Sequence, residues 1–86
     1  MTTQAPGQNK TVNIFVNGRE VTVTKGKITY DEVVTLAYPT PDFQNNTYKV
    51  TYFRKNDNHE GVLTKGGNPV EVIEGMVFTV VPAIRS

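Results

Sequence analysis

Apolar residues recur at every second position in two short segments near the start of the chain, residues 11–17 and 20–24. Such alternation is typical of a strand with one buried face. Asn17-Gly18 stands between the two segments. Both central residues of a type I′ turn must adopt positive φ, and Asn and Gly tolerate this best. The pattern therefore predicts a β-hairpin.

A short amphipathic helix is predicted after the hairpin. Thr29 and Glu32 have the spacing of a capping box, in which each side chain bonds the backbone N–H of the other residue. Apolar residues at helical spacing follow this cap, and Pro39 disfavours helical geometry at Tyr38. Because a helix this short is not stable alone, we expect it to pack on a sheet.

The second half of the chain is rich in predicted strands. Prolines and asparagines at residues 39–46 predict a loop. Pro82 lacks a backbone N–H and is predicted to end the last strand. The predicted extended segments are Tyr48–Lys55, Gly61–Thr64, a brief Val70–Val72 and Met76–Val81.

The order β-β-α-β-β-β predicts an α+β domain, a ubiquitin-like β-grasp with one helix across one face of a mixed sheet. We predict a disordered tail over residues 1–10, the domain over 11–82 and a flexible C-terminal tail over 83–86. The alternation also predicts the core, namely Val12, Ile14, Val16, Val21, Val23, Val33, Leu36, Val50, Met76, Phe78 and Val80.

Composition excludes several classes of site. The 86 residues carry a net charge of +1 and no cysteine, which excludes disulfides and thiolate zinc sites and fits a cytoplasmic origin. Interspersed charges give no basic stripe for nucleic acid, and no apolar run is long enough to span a membrane. The single histidine, His59, lies in a polar run and is interpreted as solvated. No metal or cofactor is expected.

Catalytic machinery is equally sparse. The single serine is Ser86, and the acidic residues are scattered one by one. A catalytic site needs a nucleophile, a base and groups that stabilise developing charge, all in one cleft. We therefore expect a binding or tagging domain and not an enzyme.

The outward positions of the strands suggest a docking surface. Four apolar residues fall opposite the predicted core phase, namely Phe15, Phe53, Val77 and Val81. On the helix-free sheet face they would form an apolar patch, and such patches often mark partner sites. The alternatives are a strand phase off by one residue, or loops that cover these side chains. Lys49, Arg54 and Arg19 would rim the patch, and are read equally well as solvated charges.

Several segments resemble a known family. The most specific are the hairpin Asn17–Glu20 (NGRE), Ile28–Tyr38 (ITYDEVVTLAY) and Glu74–Phe78 (EGMVF). The strand segments TYKVTYF and EGVLTKG lie between the last two. Together these segments make roughly residues 11–82 resemble the bacterial multiubiquitin family of ubiquitin-like proteins. The chain has a single copy of the domain.

The resemblance implies a function. Members are encoded in operons beside proteins similar to ubiquitin-activating enzymes, ubiquitin-conjugating enzymes and a deubiquitinase-like metalloprotease. Such operons are implicated in modifying target proteins, including phage components. By resemblance the chain is the modifier, activated and conjugated through its C-terminus, and the alternative is a non-covalent module that docks partners through its sheet face.

The C-terminal segment departs from the familiar pattern of such modifiers. Ubiquitin and the sulfur carriers end in Gly-Gly, whereas this sequence ends Ala83, Ile84, Arg85, Ser86, and Gly66-Gly67 lies inside the predicted domain. We take these last four residues as the conjugation tail. Three explanations of the missing Gly-Gly are open: the partner enzymes accept a non-glycine end, a protease trims the tail first, or this chain is not conjugated. The departure disfavours a sulfur carrier most.

Overall fold

The computed structural model describes residues 10–84, which form one helix and seven strands. A five-stranded sheet has the order β2-β1-β7-β4-β5, with β1 and β7 parallel and the other pairs antiparallel, while β3 and β6 form a separate pair. The elements are β1 (Thr11–Val16), β2 (Arg19–Thr24), β3 (Lys27–Ile28), α1 (Tyr30–Ala37), β4 (Asn46–Arg54), β5 (His59–Leu63), β6 (Val70–Glu71) and β7 (Val77–Ile84). This mixed sheet with one helix across it confirms the predicted β-grasp.

The hairpin and the helix cap have the local geometry that the sequence predicts. Asn17 and Gly18 have φ of 52° and 83°, and they join β1 to β2. At the start of α1 the Thr29 hydroxyl accepts from the Glu32 N–H at 3.2 Å, and the Glu32 carboxylate accepts from the Thr29 N–H at 2.9 Å. Tyr38 is extended at the helix end, next to Pro39. The hairpin and the capping box are therefore confirmed.

The core lies between α1 and the sheet, and most of its predicted members are buried. Seven predicted residues are buried: Ile14, Val16, Val33, Val50, Met76, Phe78 and Val80. The core also contains residues absent from the predicted set: Ile28, Tyr30, Val34, Tyr48, Leu63 and Val72. Val12, Val21, Val23 and Leu36 are only partly buried. These four pack against the core but lie at its margin, so the prediction of full burial was wrong for them. Because α1 packs mainly on β1, β4 and β7, the side of the helix toward β2 is less covered.

The last strand continues beyond Pro82, where the sequence predicted its end. The Asn17 side chain bonds both the N–H and the C=O of Val80, at 2.8 and 3.1 Å. Backbone groups of alternate residues point to the same side of a strand, so the Pro82 nitrogen faces the same side as the Val80 N–H, which is the side of β1. Strand β1 ends at Val16, opposite Phe78, so no β1 residue lies beside Pro82. The missing N–H therefore removes no ladder bond. The predicted end at Val81 was wrong, and β7 pairs with β4 as far as Ile84.

The predicted tails fall mostly outside the described residues. Residues 1–9 of the N-terminal segment and Arg85 and Ser86 of the conjugation tail are among those not described. Lys10 is described, and its C=O accepts from the Lys25 N–H at 2.9 Å. Ala83 lies opposite Thr47 in the β4–β7 ladder. The described part of the conjugation tail is thus paired backbone.

A tyrosine hydroxyl closes the other side of β4. Strand β5 ends at Leu63, opposite Val50, so it has no residue to pair with Tyr48. The buried Tyr30 hydroxyl instead accepts from the Tyr48 N–H at 3.1 Å and donates to its C=O at 2.9 Å. Buried backbone groups without partners are costly, so this hydroxyl replaces one residue of the missing strand.

Replacing Tyr30 with Phe is expected to destabilise the domain by about 2–3 kcal/mol, because two buried backbone groups lose their partner. Urea unfolding measures the change. Tyr52→Phe is the matched control, since the Tyr52 hydroxyl makes no side-chain hydrogen bond within residues 10–84, and it should change stability by under about 0.5 kcal/mol. Equal effects of the two variants would contradict this role for Tyr30.

Candidate functional site: the open sheet face

The side of the sheet opposite α1, here called the open face, carries a row of apolar side chains. Phe15, Val77 and Phe53 lie side by side on three adjacent strands, in the registers Phe15↔Val77 and Phe53↔Val77. Phe15 is 37 % exposed, and the other two are partly buried. Neither a wrong strand phase nor a covering loop removes this row from the surface.

Two carboxylates stand at the ends of the apolar row. Glu20 on β2 lies opposite Phe15, and Glu60 on β5 lies opposite Phe53. Both glutamates are exposed. The row is therefore an apolar strip that crosses the sheet and has a negative charge at each edge.

A shallow depression adjoins the row. It has a volume of about 470 Å³ and is lined by Phe53, Val77, Thr51, Thr79 and Val62, among others. Val62 is 59 % exposed and is a surface residue that the sequence reasoning missed. The signal that could have identified it is its position next to Leu63, since neighbouring residues of a strand face opposite sides and Leu63 is buried. The depression extends the apolar surface toward β5.

Val81, the fourth predicted patch residue, lies on the same face but outside the row. It is 51 % exposed and lies opposite Lys49 on β4. Four residues along a strand span about 13 Å, and Thr79 lies between Val77 and Val81 on this face. Val81 therefore lies between the row and the C-terminal end of β7.

Only one of the three predicted rim cations lies on the open face. Lys49 is there, opposite Val81. Arg19 instead donates to the Leu36 C=O of α1 at 3.0 Å, and Arg54 pairs with Asp57 at 3.1 Å. The prediction was wrong for both arginines because they share the phase of the core-facing residues of their strands.

The conjugation tail begins on this same strand. Ala83 is exposed and has the open-face phase, and the backbone of Ile84 is the last residue of β7. Ile84 is seven residue steps beyond Val77, which corresponds to about 23 Å along an extended strand. One strand, β7, therefore connects the apolar row to the C-terminal end of the domain.

Comparison with known proteins agrees with this architecture. A family model described as multiubiquitin matches residues 12–83. The chain belongs to the multiubiquitin family. This match confirms the resemblance seen in the sequence, and it spans a single ubiquitin-like domain. No curated protein and no solved structure gives a significant match.

Within residues 10–84 there is no group of three or more His, Asp or Glu side chains that could hold a metal ion, and no helix able to cross a membrane. His59 is exposed beside the Tyr52 ring, at 6.1 Å between centroids. Hydrogen bonds from the Asn45 side chain, then from backbone N–H groups, lower the pKa of Asp42. That carboxylate holds the loop before β4, so its role is structural.

Proposed function

We propose that this multiubiquitin domain is a bacterial protein modifier, joined to acceptor proteins through its C-terminus. The observation that carries the proposal is the family match over residues 12–83 on a ubiquitin-like sheet. In that sheet the C-terminal strand β7 is central, so the chain leaves a rigid body beside an exposed apolar surface. A modifier needs both a rigid body that enzymes recognise and a terminus that they can reach.

The proposed transfer has three steps, and the domain supplies the carboxylate. In the first, a carboxylate oxygen attacks the α-phosphorus of ATP, forms an acyl adenylate and releases pyrophosphate. A thiolate of an activating-enzyme-like partner then displaces AMP, and the thioester passes to a conjugating-enzyme-like partner. Finally an amine of the target attacks the thioester carbonyl, the thiol leaves and an amide remains. A deubiquitinase-like metalloprotease would hydrolyse that amide, and phage proteins are among the proposed targets.

The open face is the proposed docking surface for these enzymes. Phe15 and Phe53 provide large apolar area, and aromatic residues at the centre of an interface carry much of its binding energy. Glu20 and Glu60 at the edges would fix the orientation of a partner. Since the row lies about 23 Å from Ile84 along β7, a partner that covers it must also extend over Val81 to reach the terminus.

The alternative is a non-covalent module that binds through the open face and is never conjugated. The pairing of Ala83 and Ile84 with β4 favours it, because it shortens the segment free to enter an active site. Two residues beyond Ile84 span at most about 7 Å. In the modifier, these two ladder pairs would open when the enzyme binds.

Adenylate formation tests the proposal. Purified domain is mixed with its activating-enzyme-like partner, ATP and labelled pyrophosphate, and exchange of label into ATP is measured. We expect exchange that depends on the domain and disappears when its C-terminal carboxylate is amidated. Exchange that the amidated domain supports equally well would contradict the proposal, and so would binding of the two proteins without any exchange.

Replacing Phe53 with Glu is expected to weaken binding of the activating-enzyme-like partner by at least about tenfold, because a charge enters the centre of the apolar row. Calorimetry measures the affinity, and a thermal melt confirms folding. Val81→Glu, away from the row, should weaken binding less. Thr40→Glu adds the same charge on the exposed loop after α1 and serves as the control. Unchanged affinity of a folded Phe53→Glu variant would remove the row from the interface.

A further inference from the structure

Among the described residues, 10–84, no strand pairs with the outer edge of β2. In β1 the N–H groups of Phe15 and Asn17 donate to β7, so the backbone groups of the alternate residues, 12, 14 and 16, face β2. These groups bond the backbone groups of the opposite residues in β2, which are Val23, Val21 and Arg19. The N–H and C=O groups of Glu20, Thr22 and Thr24 therefore point outward from the sheet. An unpaired edge of this kind is a template for another strand.

An apolar groove runs beside this edge, between β2 and α1. Its volume is about 390 Å³, and its apolar lining comes from Val23, Ile28 and Leu36. Val23 and Leu36 are only half-buried. The groove lies on the helix side of the sheet, so its lining is separate from the open face. Only Glu20 belongs to both surfaces, because its side chain ends the apolar row and its backbone is part of the β2 edge.

The two ends of the groove differ. At one end the Arg19 guanidinium bonds the Leu36 C=O at 3.0 Å and joins β2 to α1. At the other end Lys25 and Lys27 are exposed, and neither makes an ion pair within the described part of the chain. Lys27 lies opposite Glu71 in the β3–β6 pair, but that carboxylate is not within ion-pair distance.

The carboxylates of the groove wall are already engaged. Asp31 forms an ion pair with Lys65 at 3.1 Å. Glu32 accepts from both the N–H and the hydroxyl of Thr29 in the helix cap. Glu32 keeps its negative charge in the cap, so it is the one groove-wall carboxylate without an ion pair among the described residues. The positive charge is concentrated at the other end of the groove, beside Thr24, where Lys25 and Lys27 lie.

We propose that this groove binds an extended peptide of a partner protein, which adds to the sheet as a strand on the β2 edge. The peptide has apolar side chains at alternate positions, which enter the groove, and acidic residues beside Lys25 and Lys27. Strand addition of this kind takes its affinity from main-chain hydrogen bonds and its specificity from alternate side chains. The edge from Glu20 to Thr24 accommodates about five residues, or roughly 17 Å of strand.

Charge disfavours a second copy of the chain as the occupant. Two β2 strands paired antiparallel about Thr22 would place Glu20 opposite Thr24, and Arg19 opposite Lys25. Like charges directly opposite each other destabilise a strand pair. An acidic peptide has the complementary charge instead.

The test uses a ten-residue peptide in which valine and isoleucine alternate with serine, with three aspartates at one end. A second peptide has the same residues with the alternation scrambled. Peptide is added to isotopically labelled full-length chain, and amide and methyl shifts are followed by NMR. We expect shifts at the amides of Glu20, Thr22 and Thr24 and at the methyls of Val23 and Leu36. The scrambled peptide should bind at least about tenfold more weakly.

Two matched pairs of variants locate the contact. Thr22→Pro removes an outward N–H without removing a bond to β1, whereas Thr22→Val keeps that N–H. Both variants lose the hydroxyl bond to Asn13. We expect Thr22→Pro to weaken peptide binding roughly tenfold relative to Thr22→Val. Reversing both Lys25 and Lys27 to Glu should weaken binding and its salt dependence, while Lys55→Glu, at the distant β4–β5 turn, should not.

Several results would overturn the proposal. Equal binding by Thr22→Pro and Thr22→Val, with both variants folded by NMR, would exclude strand addition at this edge. So would shifts confined to Phe53 and Val77, or to the outer edge of β5. Self-association that shifts the β2 amides without peptide would show that a second copy occupies the edge.

Discussion

Deleting Arg85 and Ser86 is expected to abolish covalent transfer while changing the thermal unfolding midpoint by less than about 2 °C. The remaining carboxylate would be that of Ile84, the last residue paired with β4. Even when the enzyme opens the ladder pairs of Ala83 and Ile84, this carboxylate would reach about 7 Å less far toward ATP than that of Ser86. Transfer is measured as conjugates formed with the partner enzymes, and stability by calorimetry.

A variant of the same length shows whether transfer depends on how far the terminal carboxylate reaches or on the side chains of Arg85 and Ser86. Replacing Arg85 and Ser86 with alanine keeps the backbone and a free carboxylate at the same distance, so transfer should persist. Deletion of residues 83–86 is a less specific test, because it also removes two pairs from the β4–β7 ladder. Wild-type amounts of conjugate from the chain without Arg85 and Ser86 would contradict the role of this tail.

Replacing Phe78 with Ala is expected to destabilise the domain by about 3–5 kcal/mol, as for a truncated aromatic in a closed core. Phe78 is fully buried on the central strand β7, with Val16 and Tyr52 as its neighbours on the two adjacent strands. The loss is a large part of the about 5–15 kcal/mol that stabilises a typical domain. Urea unfolding, compared with wild type, measures it.

Phe15→Ala is the matched control for this prediction. It deletes the same atoms from the same sheet, but on the open face, where Phe15 is 37 % exposed. We expect a loss of at most about 1 kcal/mol. Equal losses for the two variants would show that the assignment of core and open faces is incorrect.

Local chemistry explains the elements that the sequence predicted well. Asn17-Gly18 and the Thr29–Glu32 box each depend on neighbouring residues alone, and both form as predicted. The period-two alternation in β1 and β7 also placed Phe15 and Val77 on the correct face, because phase within one strand is a local property. Strands β3 and β6 have two residues each, too few to show a period.

The errors arise where a residue's environment depends on strand order. A proline ends a strand only if its missing N–H faces a neighbour, and Pro82 faces the side where β1 has already ended. Val21 and Val23 are half-exposed because β2 is an edge strand, which their own sequence does not reveal. The positions of Arg19 and Arg54 were predictable, however, since alternation places them with Val21 and Tyr52 on the helix side.

The central claim, covalent modification, is tested most directly by mass spectrometry of cells that express the chain together with its proposed activating and conjugating partners. A protease that cuts after lysine leaves a branch that starts at Gly66 on any acceptor, since Lys65 is the last lysine of the sequence. We predict such branches on lysines of other proteins, and none when the carboxylate is blocked. Recovery of the chain only in its unmodified form, although the enzymes are present and bind it, would contradict the claim.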